Sequence, residues 1–448
     1  MGKRLSVFIF SCIGFSLLFT TFSFSEQRQL PQEIENRISD TIALSDLLTY
    51  AYDTNPSISS SKESWKVFIE NYRIGTGYPD PQLMVTYFPS PIETRLGPQD
   101  WNVVLSQPIP FPGKLTQKGK ILEADANISK LKLDKTIKNI VTSISTSFYE
   151  LIYIQKAGDI ARANFIINQE LIKISETAYA QDRASFYDIS KAQAQTAQIR
   201  YDILLLEELE LTEKARINTL LNRTPDAPLG KAQDLLYRDV VYGLDEIYDL
   251  STSNQEDVLI AQENVKKFEE AIKLSRYESL PSFKLGLFYA AIGEPDIPTP
   301  PKNAGDDAVG IQFGLNLPIW FGKNQSNVYK ATASRQKAKA DKLTITNQTK
   351  EKISRLWFKL QNSKRLITLY EKELIPQSMR SLQTAETWYR QGDSSFFDYL
   401  EVQATAYNFQ LSLARAKADY GQTLVKLEQL AGIVLDKKVA GKKGENNS

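Results

Sequence analysis

The chain has no histidine among its 448 residues. That removes Ser-His-Asp and Cys-His catalysis and every imidazole metal site. It has one cysteine, Cys12, so neither an intrachain disulfide nor a multi-cysteine zinc or iron–sulfur site can form. Its three methionines, one of them the initiator, are too few for a thioether copper cluster. The charges nearly cancel, 54 Lys and Arg against 53 Asp and Glu, so no basic excess advertises a nucleic-acid partner. After the first 25 residues no apolar run approaches the ~18 residues of a spanning helix. Much enzyme chemistry is excluded before any pattern is read, and no metal or other cofactor is expected.

The first segment reads as an address. Lys3 and Arg4 form a short basic start, an apolar run follows from Leu5 to Phe19, and Ser23-Phe24-Ser25 offers small residues for cleavage before Glu26. This is the pattern of a secretory signal peptide over residues 1–25. A transmembrane anchor would need a longer run with a stop-transfer flank. Lipidation at Cys12 is the other alternative, but Phe10 is bulky for the position it would hold. A secreted chain without spanning helices can still enter an outer membrane as β-strands.

The remainder says the same thing twice. Leu44-Ser45-Asp46-Leu47 with Asn55 resembles Leu244-Asp245-Glu246-Ile247 with Asn254. Pro108-Ile109-Pro110-Phe111 resembles Pro318-Ile319-Trp320-Phe321, and Gly-Lys follows at 113–114 and 322–323. Tyr179 with Ser185-Phe186-Tyr187-Asp188 resembles Tyr389 with Ser395-Phe396-Phe397-Asp398. The copies run over 40–223 and 244–432, joined by a linker at 224–243 that packs at the equator of the rods. The longer proline-rich stretch at 291–307, against 89–100, accounts for the growth in offset. The lysine-rich tail from Ile433, 433–448, is expected to be disordered.

Each copy orders helix, two strands, a very long helix, a turn and a returning helix. The strands, expected near 82–89 and 101–108, then 282–290 and 308–317, alternate with period two. Val309, Ile311, Phe313, Leu315 and Leu317 share one face, with Gly310, Gln312, Gly314 and Asn316 opposite. Half-buried soluble strands and lipid-facing strands both fit that pattern. Four strands cannot close a barrel, so the second reading requires several copies of the chain. The helices separate the two. No proline occurs between Gly113 and Thr224. The rod from Gly113 to Asp182 would be about 105 Å long at 1.5 Å per residue. Ile137, Ile140, Val141, Ile144, Phe148, Leu151 and Ile152 recur at helical spacing along it, as in a coiled coil. The second rod runs from Lys323 to Gln391, where Pro376 should kink or interrupt it.

Each rod ends at a hairpin tip, near 182–186 and 392–395. Ser185 and Ser395, each with an Asp three residues later, fit N-caps of the returning helix, and Gly392 fits a left-handed helix C-cap. Capping is thus the local role of Asp188 and Asp398. Asp398 and Glu401 also share a helix face, and in a symmetric pore they would become carboxylate rings that favour cations.

The duplication, the Pro-x-x-Phe segments with Gly-Lys behind them, Leu221-Asn222-Arg223 closing the first copy and the Tyr-x-x-Gly tip together resemble the TolC family of outer-membrane efflux ducts. The likeness covers nearly the whole mature chain. It implies a mainly α fold with a small β-barrel: a long helical-hairpin coiled-coil barrel, and four strands per protomer in a trimeric twelve-stranded outer-membrane barrel. It implies passive export, with no enzymatic step, as the outer-membrane channel and periplasmic tunnel of a tripartite efflux pump for heavy-metal cations or drugs. The partners implied are two further copies, a periplasmic adaptor and an inner-membrane efflux transporter of the RND type. By position, Asp188, Tyr389, Asp398 and Glu401 match the family's pore constriction. Gln181, Asp182, Ser185, Gly392, Ser394 and Ser395 match the adaptor-docking tip. Copy one departs from the tip motif, with Asp182 where glycine is usual, and Ser394 stands where some members have arginine. The run Gln107–Lys114 looks more like the heavy-metal branch. A periplasmic coiled-coil structural protein without channel activity is the alternative; it explains the rods but not the strands.

Overall fold

A computed structural model describes residues 32–181, 185–235, 237–391 and 394–436. The expected signal peptide, Asp182, Gly392 and the chain beyond Asp436 lie outside the described residues. Before the first copy, α1 (Gln32–Asp40) leads into β1 (Thr41–Ile42), then α2 (Leu44–Thr54) and α3 (Pro56–Thr76). Asn55 separates those two helices: its side-chain oxygen accepts from the N–H of Ser57 and Ile58, and Pro56 takes the first helical position. Strands β2 (Gln82–Thr94) and β3 (Gly97–Ile109) follow, then α4 (Lys114–Tyr179) and α5 (Phe186–Leu220). The linker contributes β4 (Lys231–Ala232), paired in parallel with β1. The second copy repeats the order as α6 (Leu244–Asn254), α7 (Glu256–Glu278), β5 (Ser282–Ile292), β6 (Ala308–Asn316), α8 (Phe321–Leu369), α9 (Ile375–Gln391) and α10 (Phe396–Ala431).

α4 is one unbroken helix of 66 residues, about 100 Å long. Its counterpart is interrupted as Pro376 demands, but by a π-helical turn, Tyr370–Leu374, rather than a simple kink. Pro376 lacks the N–H that would bond one turn back, and the widened turn before it absorbs the mismatch. Helices this long are held by packing rather than propensity, and three apolar clusters are spaced along them. Ile38, Leu47, Ile144, Phe148, Leu151, Ile217 and Leu221 form the first. Ile247, Ile353, Leu360, Tyr420, Leu424, Leu427 and Leu435 form its counterpart in copy two. The third sits at the tips. The repeat also returns in the backbone: Asn222 (φ 59) and Gly432 (φ 79) both turn left-handed after the last helix of their copy.

Two boundaries differ from expectation. The prolines at 89 and 91 do not end β2; they shift its register, and Ile92–Thr94 then pairs with Gly97–Gln99. The tail does not begin at Ile433. Leu435 is fully buried, its N–H donates to Glu428, and Asp436 pairs with Arg238 of the linker, so the packed chain reaches Asp436.

The sheet runs β2-β3-β5-β6, antiparallel throughout. Its register stacks the apolar positions: Leu83 faces Leu105, which faces Leu287, which faces Ile311; Val85, Val103, Tyr289 and Val309 form the next row. The rows of the other face read Gln82, Ser106, Gly286, Gln312, then Met84, Val104, Phe288, Gly310, then Thr86, Asn102, Ala290, Ala308, so that face is mixed, with small and polar rows on either side of one mainly apolar row. On the apolar face Val309, Ile311 and Phe313 are 79%, 78% and 73% exposed within one chain, the mark of a surface that meets a partner or a membrane. β2 and β6 each pair on one side only among the described residues, so two edges stand open. No helix among the described residues is long and apolar enough to cross a membrane.

Candidate functional site at the hairpin tips

The far ends of the two hairpins meet. Leu171 of α4, Ala192 of α5, Ala385 of α9 and Phe396, Tyr399 and Leu400 of α10 share one buried cluster. The ammonium of Lys191 lies 3.2 Å from the ring centroid of Phe397, a cation–π contact from the first hairpin to the second. Between α4 and α10, Gln403 donates to Asn164 at 3.0 Å inside the packing.

Both returning helices open with the same device. Ser185 Oγ accepts the Asp188 N–H at 3.3 Å, and Asp188 Oδ2 accepts the Ser185 N–H at 3.1 Å. Ser395 and Asp398 repeat it at 3.2 and 3.3 Å. These are capping boxes with Asp in place of Glu. Ser394 Oγ donates a further, neutral hydrogen bond to Asp398 Oδ2 at 3.3 Å. The Ser395 hydroxyl, with its N–H and Ser394 behind it, holds the exposed Asp398 carboxyl below the usual carboxylate range.

Tyr389 points between the hairpins. Its ring lies 5.3 Å from Phe396 and 6.2 Å, nearly parallel, from Tyr399. Its hydroxyl is buried beside the buried hydroxyl of Ser175. Burial pushes the phenol up, the Ser175 hydroxyl opposes this, and the Asp188 charge adds to it. Tyr389, Asp188, Gln181, Ser185, Ser394 and Ser395 all line one groove of ≈ 960 Å³ between the tips, together with Lys173 and Arg390.

Asp398 also borders a second groove, ≈ 740 Å³, with Arg380, Trp388 and Val402. Glu401, one turn further along α10, is exposed and lines neither groove. The four sequence-derived constriction residues thus divide: Asp188 and Tyr389 face the groove between hairpins, and Asp398 and Glu401 share a different, exposed face of α10. Within one chain they do not converge. The sequence reading missed Lys173, Lys191 and Phe397, because only the approach of the two hairpins brings them to the tip. It read Gly113-Lys114 as a marker only. Lys114 Nζ in fact donates to Leu280 O and Ser282 Oγ, each at 2.9 Å, and so fastens the start of α4 to β5. Among the described residues no three acidic or cysteine side chains cluster as a metal site would require.

A four-stranded sheet with one apolar face, standing on paired helical hairpins about 100 Å long, defines the class of outer-membrane efflux channel folds. Residues 247–433, most of the second copy, match the family model described as Outer membrane efflux protein. The fold of most of the chain is similar to solved outer-membrane channels. VceC of Vibrio cholerae matches with a TM-score of 0.73 at 18% identity, over 88% of this chain and 96% of that one. CusC matches at 0.74 and 15% identity, over 87% and 92%. The CmeC outer-membrane channel of Campylobacter jejuni matches at 0.68 and 14%, over 88% and 87%. No curated protein sequence matches the chain.

Proposed function

We propose that three copies of this chain form an outer-membrane channel continuous with a periplasmic tunnel, the passive exit duct of a tripartite efflux pump. The observation that carries this is the sheet. It presents a continuous apolar face and two open edges, each a surface that calls for a partner or cover. Joining β6 of one chain to β2 of the next satisfies both edges, and lipid covers the apolar face. The small and polar rows Gln82–Ser106–Gly286–Gln312 then face the bore. The protein would act in the outer membrane of a Gram-negative-type bacterium and reach into the periplasm.

At the far end, Asp188, Tyr389, Asp398 and Glu401 are proposed as the constriction. Three-fold repetition turns each into a ring, which is why their division between two faces of one chain does not count against them. Gln181, Asp182, Ser185, Gly392, Ser394 and Ser395 are proposed as the surface that receives a periplasmic adaptor, with an RND-type inner-membrane transporter supplying the cargo. The groove between the hairpins supports this, since four of those residues line it. The test is conductance of the purified protein in planar bilayers, for the native chain and for Asp398→Asn with Glu401→Gln. A conducting trimer whose conductance changes in the double variant supports both channel and constriction. A channel indifferent to it keeps the duct and discards those residues. A folded trimer that never conducts, and that carbonate washes from membranes, belongs to the rod reading instead.

A further inference from the structure

Helix α8 stands apart in charge. Its 49 residues hold twelve Lys and Arg against two Asp and Glu, so this one element carries a net +10 in a chain whose total is +1. Elsewhere in the rods several lysines are matched by acids of a neighbouring helix. Near the sheet end, Lys135 of α4 meets Asp257 of α7 and Lys138 meets Glu256, while Lys267 of α7 meets Asp125. On α8 only Lys337 and Arg355 reach its own two acids, and Lys364 is taken by Asp239 of the linker. Lys323, Lys330, Lys352 and Lys359 form no ion pair among the described residues.

These four lie on one face. Residues two apart on a helix point about 200° apart. Lys350 sits over the Tyr248 ring of α6 at 5.8 Å, Trp357 packs against the cluster around Ile247, and Lys364 reaches the linker. That side of α8 is therefore covered by α6 and the linker. Lys352 and Lys359 are each two residues from Lys350 and Trp357, on the opposite side. Lys323 and Lys330 continue the stripe toward the sheet, within about 60° of it by helical rotation. A second observation agrees. Lys426 of α10 is pushed down by burial and then by the like charges of Lys359 and Arg216, against the opposing pull of Asp419 and Glu150, so three cations from three helices look toward one space that two carboxylates border.

The rest rests on the duct reading. A chain that forms a tunnel wall must carry its linker and α6 outside, because inside they would fill the bore. The uncovered face of α8 is then the inner face. Three copies turn each lysine into a ring; the rings of Lys323 and Lys330, and those of Lys352 and Lys359, stand about 10 Å apart along the axis, with about 33 Å between the two pairs. The spacing within a pair is close to the screening length of about 8 Å in physiological salt, so the fields merge within each pair and the sleeve consists of two positive belts. Rings of Lys and Arg favour anions. We infer that the half of the tunnel nearest the sheet is an anion-attracting sleeve built by Lys323, Lys330, Lys352 and Lys359, and that this stretch, as distinct from the acidic tip, favours small anionic solutes over free metal cations.

The test is the reversal potential of single channels under a KCl gradient. The proteins compared are the native chain, a variant with all four lysines changed to Gln, and one with all four changed to Arg, each shown to be trimeric. All three are also made with Asp398→Asn and Glu401→Gln, so that the acidic tip does not mask the sleeve. With the tip neutralised, the native sleeve should prefer chloride, and the Gln variant should lose at least about threefold in the chloride-to-potassium permeability ratio. The Arg variant, which keeps the charge, should restore the ratio and so exclude a packing effect. A channel whose ratio the Gln variant leaves unmoved overturns the sleeve while leaving the duct standing. Absence of conductance from every folded, trimeric protein overturns the duct, and the sleeve with it.

Discussion

Gly421 lies in the interior of α10, where a glycine costs about 1 kcal/mol relative to alanine. Its neighbour across the join between the two copies is Tyr149 of α4. A Cβ at this position would lie 2.2 Å from Tyr149 Cε1, 2.4 Å from Cδ1 and 2.5 Å from Cζ. Carbon contacts are comfortable at about 3.5–4.0 Å, so the ring would have to retreat by more than about 1 Å. The helix beneath it cannot follow, because Phe148 and Leu151 on either side are fully buried. The ring does border a cavity of ≈ 570 Å³ and can lean toward it, which caps the penalty. For Gly421→Leu, overpacking of about 3 kcal/mol less roughly 0.8 regained in helix propensity leaves a loss of about 2 kcal/mol. Tyr149→Ala alone should cost about 2 kcal/mol, since the half-buried ring already faces open space. The double variant should lose less than the sum by at least about 2 kcal/mol, because the leucine then occupies the vacated ring space. The assay is equilibrium denaturant unfolding followed by far-ultraviolet circular dichroism in detergent, at one fixed protein concentration because assembly shifts apparent stability. If Gly421→Leu is as stable as the native protein, or if the two changes add within about 0.5 kcal/mol, the contact does not set the spacing of α4 and α10.

Other outcomes follow from single contacts. Glu150 on α4 accepts from Arg415 at 2.8 and 2.9 Å and from Gln422 at 2.6 Å on α10. Burial works against its ionised form, but the Arg415 hydrogen bond and charge outweigh it and lower its pKa. The stabilisation, about 1 kcal/mol for so exposed a pair, is therefore complete above the unfolded value of 4.5 and lost as pH falls through the lower folded value. Glu150→Gln should flatten unfolding free energy between pH 6 and pH 3, and an unchanged slope would remove the pair from the account. Ile311→Arg places a charge on the exposed apolar face and should cost about 2–4 kcal/mol if that face meets lipid. Membrane-inserted protein should fall sharply, while Gln312→Arg on the other face inserts normally; equal insertion of both would refute the orientation. Ser395→Ala removes a helix cap worth about 1 kcal/mol and should speed proteolytic nicking at the second tip about fivefold, with Ser395→Thr near native.

The duplication, the strand alternation, the rods and the capping serines are local or periodic properties, so the sequence by itself determined them. Period two and period 3.6 can be counted, and a serine three residues before an aspartate caps a helix whatever surrounds it. Pro376 announced an interruption for the same reason, although the π-helical form it takes depends on how the neighbouring turns repack. Other features required the tertiary structure, because they arise where segments hundreds of residues apart meet. The burial of Leu435 depends on a cavity that the second copy's helices create, so lysines further along made the whole tail look solvated. The strand beyond Pro89 persists because β3 is there to pair with it. At the tips, Asp188 and Tyr389 come to one groove while Asp398 turns to a different, exposed face, a difference set by how α9 and α10 cross α4 and α5. The stripe on α8 has the same origin. Its lysines are plain in the sequence, but which side of the helix the linker covers was decided only by the packing of α6 and Asp239 against the other face.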